Sequence, residues 1–350
     1  MEETGTIESR RDLAVSYERL GKIAEAKGNL TGAQALYEKY LAISKELIEE
    51  TGTVESRRSL SISYEKLGDT ARAKGDFAGA QAFYEKSLAI NEELVEETGT
   101  IESRRDLYVS HDRLGDLARA QGDLSRAQAF YERLLIITAE LSKITGSIES
   151  RADLSASYIK LGDTARAQGD LSRAQAYYEK SLVIRKKLSE ETGTIKSRRD
   201  LSISYEKLGD AARAKGDHSG AQAFYEKSVA ISKELAEKTR TTESRRDLYI
   251  GYNRLGDTAG AKGDIAGAQA FYEESLTIAE ELAEETGTRQ AYTDLATLLF
   301  IVGAFYYNKK ISKNKAKRFF ERVVEIGKKS SDSHLIEIGK KARGILDNYF

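Results

Sequence analysis

The 350-residue chain contains no cysteine, no proline and no tryptophan. The lack of cysteine excludes disulfides, thiolate metal sites and thiol nucleophiles, and it fits a protein of a reducing compartment. The lack of proline leaves the predicted helices without the residue that most often ends them. No apolar run approaches the roughly 20 residues that cross a bilayer, and Met1-Glu2-Glu3-Thr4 lacks the pattern of a signal peptide. We therefore expect a cytoplasmic protein without membrane segments.

Hydrophobic residues make up 40% of the chain and charged residues 32%, which is typical of a folded helical protein rather than a disordered one. The formal net charge is −1, but the charges are unevenly distributed along the chain. Residues 288–350 contain 13 Lys and Arg against 6 Asp and Glu. Residues 1–287 therefore carry an acidic excess, and the C-terminal part is basic.

One pattern of 47 residues returns without slippage through the first six copies. The copies begin at Gly5, Gly52, Gly99, Gly146, Gly193 and Arg240, and a divergent seventh begins at Gly287. They define repeats 5–51, 52–98, 99–145, 146–192, 193–239, 240–286 and 287–332, followed by residues 333–350. A fixed period is the signature of a repeat array, in which one core extends along an axis. We therefore expect a single solenoid domain over 1–350.

Each repeat is predicted to be a pair of antiparallel helices, here called helix A and helix B. In repeat two, the apolar residues of both helices recur mostly every three or four positions, which puts them on one face of each helix. They are Leu60, Tyr64, Leu67 and Ala71 in helix A, and Ala80, Tyr84, Leu88, Ile90 and Leu94 in helix B. Gly75 and Asp76 separate the two helices, because Gly ends a helix and Asp caps the next one.

A glycine inside helix A, Gly68 in repeat two, recurs at the same place in six repeats. A glycine in a helix interior costs about 1 kcal/mol relative to alanine. We therefore predict that helix B approaches closely at this point, with Ala80 as the small residue opposite the glycine.

Two motifs, Tyr64-x-x-Leu67-Gly68 and Ala80-x-x-x-Tyr84, resemble the tetratricopeptide repeat. The resemblance is strong over 5–286 and weak over 287–330. The period is 47 rather than 34, Ala71 stands where the family has a second Tyr, and the closing Pro is absent. Long repeats of this kind are similar to those of kinesin light chains and of multidomain bacterial proteins. The resemblance implies an all-α, right-handed superhelix whose concave wall of A helices binds a protein or peptide segment.

Polar residues on the face of helix A opposite its apolar residues form ladders across the repeats, and they are the predicted partner-binding site. The site comprises Arg105, Tyr108, Asp112, Asp116, Arg119, Ile159, Asp163, Arg166, Arg199, Glu206, Asp210, Arg213, Arg246, Tyr249, Asn253 and Asp257. Tyr108 and Tyr249 are predicted to lie at the edge of the groove, because they replace a small residue. Alternatively, the ladders are only a solvated face of ion pairs such as Asp69 and Arg72, copied by duplication.

The sequence does not support catalysis. The three histidines, His111, His218 and His334, have no spacing that would make a shared metal site, and phosphate-binding and nucleophile motifs are lacking. His218 is predicted to be a partly buried structural residue. We therefore expect neither enzymatic activity nor a metal or cofactor.

The C-terminal part departs from the pattern. Helix A of repeat seven is apolar nearly all round, so it must be covered on several sides. We expect a capping helix in 333–350 to cover it. A cluster of cations follows helix A: Lys309, Lys310, Lys313, Lys315, Lys317 and Arg318. It is interpreted as a soluble turn or as a contact with an acidic partner. A nucleic-acid-associated module using this basic region is the alternative function.

The first residues, Met1-Glu2-Glu3-Thr4-Gly5-Thr6, repeat the junction Glu96-Glu97-Thr98-Gly99-Thr100. This likeness predicts that an upstream effector or nucleotide-binding domain precedes the array, as in the bacterial proteins that it resembles. Alternatively, the duplication simply began at this point.

Overall fold

The computed structural model describes residues 5–350 and contains fifteen α-helices and no strand within that range. The helices are α1 (Ile7–Ala26), α2 (Leu30–Thr51), α3 (Val54–Ala73), α4 (Phe77–Thr98), α5 (Ile101–Ala120), α6 (Leu124–Thr145), α7 (Ile148–Ala167), α8 (Leu171–Thr192), α9 (Ile195–Ala214), α10 (His218–Thr239), α11 (Thr242–Lys262), α12 (Ile265–Thr286), α13 (Arg289–Asn308), α14 (Lys313–Lys329) and α15 (Ser333–Tyr349). Odd-numbered helices from α1 to α13 are the predicted A helices. The predicted likeness of Met1–Thr4 to the repeat junctions lies outside the described residues.

The chain divides into two compact units, one ending at Ser181 and the other beginning at Leu182. The first unit contains α1 to α7 and the first half of α8, and the second contains the rest. Within each unit, consecutive helices pack against one another. The assignment of one domain to the whole chain stays a prediction.

Most helices end near a glycine and begin after a capping Asp or Thr, as predicted. Gly75 has a φ of 83°, which only glycine adopts without strain, and the Asp76 carboxylate then accepts a hydrogen bond from the Gly79 N–H at 2.8 Å. At the repeat junction, Gly52 has a φ of 57°, and the Thr53 hydroxyl accepts from the Ser56 N–H at 3.2 Å. Short turns of this kind place each helix beside the one before it.

Gly68 marks a close approach between the two helices of repeat two. A Cβ atom at this position would lie 2.4 Å from Cε1 of Tyr84, so only glycine leaves room for the ring. The predicted close approach is confirmed, but its partner is Tyr84 rather than Ala80. The equivalent tyrosines of the other repeats meet their glycines in the same way.

A seam of buried polar residues runs between helix B and the next helix A. The prediction placed Leu88 and Ile90 in the core, but both are only half-buried, whereas Ser87 and Asn91 are fully buried. The Asn91 Nδ2 group donates to the Ser110 hydroxyl at 2.9 Å and to the Asp106 carbonyl at 3.2 Å, so the buried amide donor and the buried hydroxyl both have partners. Sequence periodicity missed this seam because serine and asparagine do not register as core residues.

The C-terminal end of the second unit is its most apolar part. Leu299 and Phe320, in α13 and α14, are almost completely buried. Helix α15 packs on α13 and α14, with Leu335 at 2% exposure and Ala342 at 0%. The last residue, Phe350, lies with its ring centroid 5.4 Å from that of Tyr307. A helix thus occupies the segment where a cap was expected.

Candidate interaction surface of the A helices

The aspartate ladder of the A helices is anchored in the structure and is not a solvated face. Asp69 accepts a hydrogen bond from the Tyr84 hydroxyl at 2.8 Å and two more from the Arg113 guanidinium, each at 2.8 Å. Burial opposes the charge of Asp69, but the hydrogen bonds and charge of Arg113 outweigh it and hold its pKa below the usual value. The Asp69 carboxylate therefore connects helix A to its own helix B and to the next repeat.

Other repeats show the same arrangement. In the first unit, Tyr131 donates to Asp116 at 2.6 Å, Lys160 lies 2.8 Å from Asp116 and 2.6 Å from Asp112, and Tyr178 donates to Asp163 at 2.7 Å. In the second unit, Tyr225 donates to Asp210 at 2.6 Å, Arg254 lies 3.6 Å from Asp210, and Tyr272 donates to Asp257 at 2.7 Å. Asp116, Asp163, Asp210 and Asp257 are thus each held by a tyrosine, and Asp116 and Asp210 also contact a cation of the next repeat.

The cations Arg113, Lys160 and Arg254 were missing from the predicted site. The signal that could have found them is their position 44 residues after an aspartate, as in Asp69 and Arg113. Within one helix, the cation that the ladders place beside Asp69 is Arg72, three residues later. The structure pairs Asp69 with Arg113 instead, so the alternative interpretation, an ion pair of Asp69 and Arg72 within one helix, does not hold in repeat two.

Glu65, the equivalent in repeat two of the predicted site residue Glu206, is buried, with 7% of its surface exposed. It accepts from the Ser87 hydroxyl at 3.2 Å and lies 3.6 Å from Arg113. Burial outweighs these contacts and raises the pKa of Glu65 to about 7. Burial likewise raises the pKa of Glu206, which pairs with Arg254. Glu65 and Asp69 lie four residues apart on one helix, and both contact the guanidinium group of Arg113.

A second ladder connects successive A helices through arginines. Its ion pairs are Arg58 with Asp106 at 2.6 Å, Arg105 with Glu149 at 2.7 Å, Arg199 with Asp247 at 2.6 Å and Arg246 with Asp294 at 2.9 Å. Partly exposed pairs of this kind contribute little stability each. Their effect is to fix the register of one A helix against the next.

A third ladder, near the C-terminal ends of the A helices, is exposed to solvent. Arg72, Arg119 and Arg166 are exposed, and within residues 5–350 they form no ion pair. Arg213, in the second unit, lies 3.4 Å from Asp257. Guanidinium groups with unused donors are suited to bind carboxylates.

The residues of the predicted site that depart from the repeat pattern are less exposed than expected. Tyr249 is 6% exposed, and its hydroxyl bonds with Arg246 and Asp294, so its predicted position at an open groove edge is wrong. Tyr108 is half-buried against the core of repeats three and four. Tyr108 and Tyr249 both pack against clusters of buried apolar residues. Ile159 and Asn253 are also half-buried.

The histidines agree with structural roles. His111 is 7% exposed, and burial lowers its pKa to about 4. His218 is half-buried, as predicted. Among residues 5–350, no group of three His, Asp or Glu could hold a metal ion. None of the fifteen helices combines the length and the hydropathy that a bilayer crossing requires.

Stacked helix pairs with cross-repeat contacts define a helical repeat scaffold. Family models described as "Tetratricopeptide repeat" match residues 14–47, 61–98, 110–144, 153–234 and 250–282. The chain belongs to the tetratricopeptide repeat family, and the predicted all-α solenoid is confirmed. Such repeats are in general protein-interaction modules, and none of the matched models is a catalytic family.

Several solved structures share this fold. BtubC (BKLC) from P. vanneervenii has a TM-score of 0.58 and 20% identity, with 72% of this chain and 92% of that chain covered. The apo form of RapI has a TM-score of 0.57 and 10% identity, covering 95% and 98%. A Signal Transduction ATPase with Numerous Domains (STAND) protein with a tetratricopeptide repeat sensor, from Pyrococcus horikoshii, has a TM-score of 0.56 and 17% identity, covering 93% and 46%. No curated protein sequence matches the chain. At these identities the likeness shows the fold alone.

Proposed function

We propose that the chain is a non-enzymatic scaffold or sensing arm of the cytoplasm that binds a protein or peptide segment on the surface of its A helices. The observation that carries this proposal is the row of exposed guanidinium groups at Arg72, Arg119 and Arg166, which form no ion pair within residues 5–350. A row of cations repeated at each helix pair suits acidic side chains along an extended partner.

The test is a pull-down with the full chain and with a variant carrying Arg72→Glu, Arg119→Glu and Arg166→Glu. We expect the variant to lose retained partners about tenfold or more, because like charges oppose binding at each position. Circular dichroism should remain unchanged, since the three side chains are exposed. Reversal of Asp116, Asp163 and Asp210 would be a poor test, because each accepts a tyrosine hydrogen bond inside the fold.

The matched control carries the same change of charge on helices α2, α6 and α8, at Lys45→Glu, Lys143→Glu and Lys187→Glu, where all three lysines are exposed. This control should retain the partners of the unchanged chain. Equal losses in both variants would show a general charge effect and contradict a site on the A helices.

A sensing role linked to an upstream effector or nucleotide-binding domain is part of the proposal. The likeness to the STAND protein, of which this chain covers 46%, supports such an arrangement. Sequencing upstream of Met1 in a native gene tests it. An in-frame domain is expected, and a stop codon directly before Met1 would contradict it.

The second candidate function is a nucleic-acid-associated module. Lys309, Lys310, Lys313, Lys317 and Arg318 are all exposed, and the nearest carboxylate to the Lys317 ammonium, that of Glu321, lies 4.0 Å away. Binding to a random duplex, measured over a range of salt concentrations, tests this function, because phosphate contacts give affinity that falls steeply with salt. Weak binding without that dependence would rule it out.

A further inference from the structure

The junction between repeats six and seven lacks the polar seam that other junctions have. At three other junctions, a helix B side chain donates to a serine of the next helix A: Asn91 to Ser110 at 2.9 Å, Thr138 to Ser157 at 3.1 Å and Arg185 to Ser204 at 3.4 Å. The equivalent residues at the junction of repeats six and seven are Ala279 and Leu298, at 2% and 3% exposure. The seam is apolar there.

The charged ladder also stops at this junction. Asn253 stands one repeat after Glu206, and Ile301 stands one repeat after Arg254, so the ion pair between Glu206 and Arg254 has no successor. Within residues 5–350, the buried Oδ1 atom of Asn253 accepts no hydrogen bond. The ladder therefore ends in an uncharged pair, Asn253 and Ile301, and the buried Oδ1 atom is out of reach of a ligand.

Two adjoining cavities of about 360 and 190 Å³ open between α11 and α13 at this place, and we call them together the junction cleft. Both are lined by Arg246, Tyr249, Ile250 and Asp294. The larger cavity reaches down to Ala279 and Leu282, and the smaller one is lined by Asn253, Thr297 and Ile301. The junction cleft thus has an apolar floor, formed by Ala279, Leu282 and Ile301.

The mouth of the larger cavity carries an excess of negative charge. Its carboxylates are Glu243, Asp247 and Asp294, and its guanidinium groups are Arg199 and Arg246. Arg199 pairs with both Glu243 and Asp247, and Arg246 pairs with Asp294, so two guanidinium groups share three carboxylates and these groups together keep one net negative charge. A ligand that bridges this mouth is favoured if it is positively charged.

We propose that the junction cleft binds an extended peptide segment of a protein partner in which an aliphatic side chain is flanked by Lys or Arg. The aliphatic side chain enters the larger cavity between Tyr249 and Ala279, and the flanking cations face Asp247 and Asp294. This inference rests on the proposed function and adds the chemistry of one subsite.

The probe is a set of short fluorescein-labelled peptides with Leu or Ala at the centre of a Lys/Ser or a Glu/Ser frame. Fluorescence anisotropy with the full chain should show at least about tenfold tighter binding of the Leu/Lys peptide than of the Ala/Lys peptide, from the methylene groups buried. The Glu/Ser peptides should bind more weakly still. Equal binding of the Leu and Ala peptides would overturn the inference.

Two variants locate the site. Ala279→Leu fills the floor and should abolish the preference for Leu. Thr297→Arg adds a cation at the exposed edge without disturbing the core, and it should weaken Leu/Lys binding about tenfold. Thr277→Arg, an equal change at an exposed position of α12, is the control and should bind like the unchanged chain. Binding that none of the variants changes would place the peptide elsewhere and overturn the inference.

The outcomes separate this inference from the proposed function. If the variant of Arg72, Arg119 and Arg166 loses its pull-down partners, the proposed function stands. If the full chain then shows no preference among the peptides, the junction cleft is overturned as a subsite. Concentration-dependent self-association abolished by Thr297→Arg, measured by sedimentation, would identify the occupant as a second copy and overturn the inference of a partner peptide. A peptide preference that the Thr297→Arg variant loses supports it.

Discussion

At the scale of single residues, the contacts of a glycine decide what its replacement does. Gly68→Ala gains helix propensity but drives a methyl group to 2.4 Å from the Tyr84 ring, which must move away from Asp69. Overpacking of this kind costs about 1–3 kcal/mol. We therefore expect the variant to be destabilised in urea unfolding.

Gly344→Ala is the control for that change, because Gly344 lies inside α15 with nothing within 4 Å of an added Cβ. It should be neutral or more stable by up to about 1 kcal/mol. If both variants behaved alike, helix propensity rather than the tyrosine contact would explain the recurring glycine.

Glu65 makes the stability of the first unit depend on pH. Burial raises its pKa to about 7 in the folded chain, above the ordinary glutamate value of 4.5, so the folded state binds a proton more tightly than the unfolded state. The contribution to the free energy of unfolding is therefore present at pH 4.5 and below, and it is lost as pH rises from 4.5 through 7. The expected loss is on the order of 3 kcal/mol.

Glu65→Gln keeps the size of the side chain and its ability to form hydrogen bonds, but the amide does not ionise. Urea unfolding at pH 5 and pH 8 should show that the free energy of unfolding falls less for this variant than for the unchanged chain as pH rises. Asp69, whose pKa is lowered, contributes with the opposite sign, so the comparison of variant and unchanged chain is needed. The same pH dependence in both proteins would show that Glu65 is ionised throughout.

At the scale of helices, α15 is expected to matter more than its length suggests. Deleting residues 333–350 removes Leu335 and Ala342 from the surfaces of α13 and α14. At about 25 cal/mol per Å², even 400 Å² of newly exposed apolar surface would cost on the order of 10 kcal/mol as an upper estimate. We expect aggregation of the truncated chain in size-exclusion chromatography.

Charge reversal at Lys340 and Lys341, which are exposed on α15, is the control and should leave the chain monomeric. A truncated chain that stays monomeric with native helicity would show that α15 does not protect the apolar helix of repeat seven.

The elements themselves were predictable, and the contacts between repeats were not. Periodicity placed the helix pairs, Gly75 and Asp76 placed the turn, and the Gly68 position indicated close packing. The Asp69–Arg113 pair depends on how one repeat is rotated against the next, which a single repeat does not encode. Tyr249 was misplaced for a related reason, since a ring that replaces serine can point into the core when the neighbouring repeat leaves space.

At the scale of the whole molecule, each helix takes most of its contacts from the helices next to it in sequence. In such an array, stability is approximately a sum of local terms and nearest-neighbour terms. The anchored tyrosines are the largest buried side chains that connect the two helices of a repeat, and Tyr84 and Tyr272 are equivalent examples in different units.

Tyr84→Ala and Tyr272→Ala should therefore destabilise their own surroundings selectively. Each change removes a buried ring and a hydroxyl that holds an aspartate, so a local loss of about 3–5 kcal/mol is expected. Amide hydrogen exchange should show the largest loss of protection in α3, α4 and α5 for the first variant, with α7 affected less. For the second variant it should show the largest loss in α11, α12 and α13, with α15 affected less.

The control is Tyr64→Phe, because the Tyr64 ring is half-buried and its hydroxyl forms no hydrogen bond with another side chain or the backbone of residues 5–350. This change should leave protection nearly unchanged. Equal loss of protection in every helix of a unit would mean that the unit opens as one cooperative body, and the nearest-neighbour description would then be wrong.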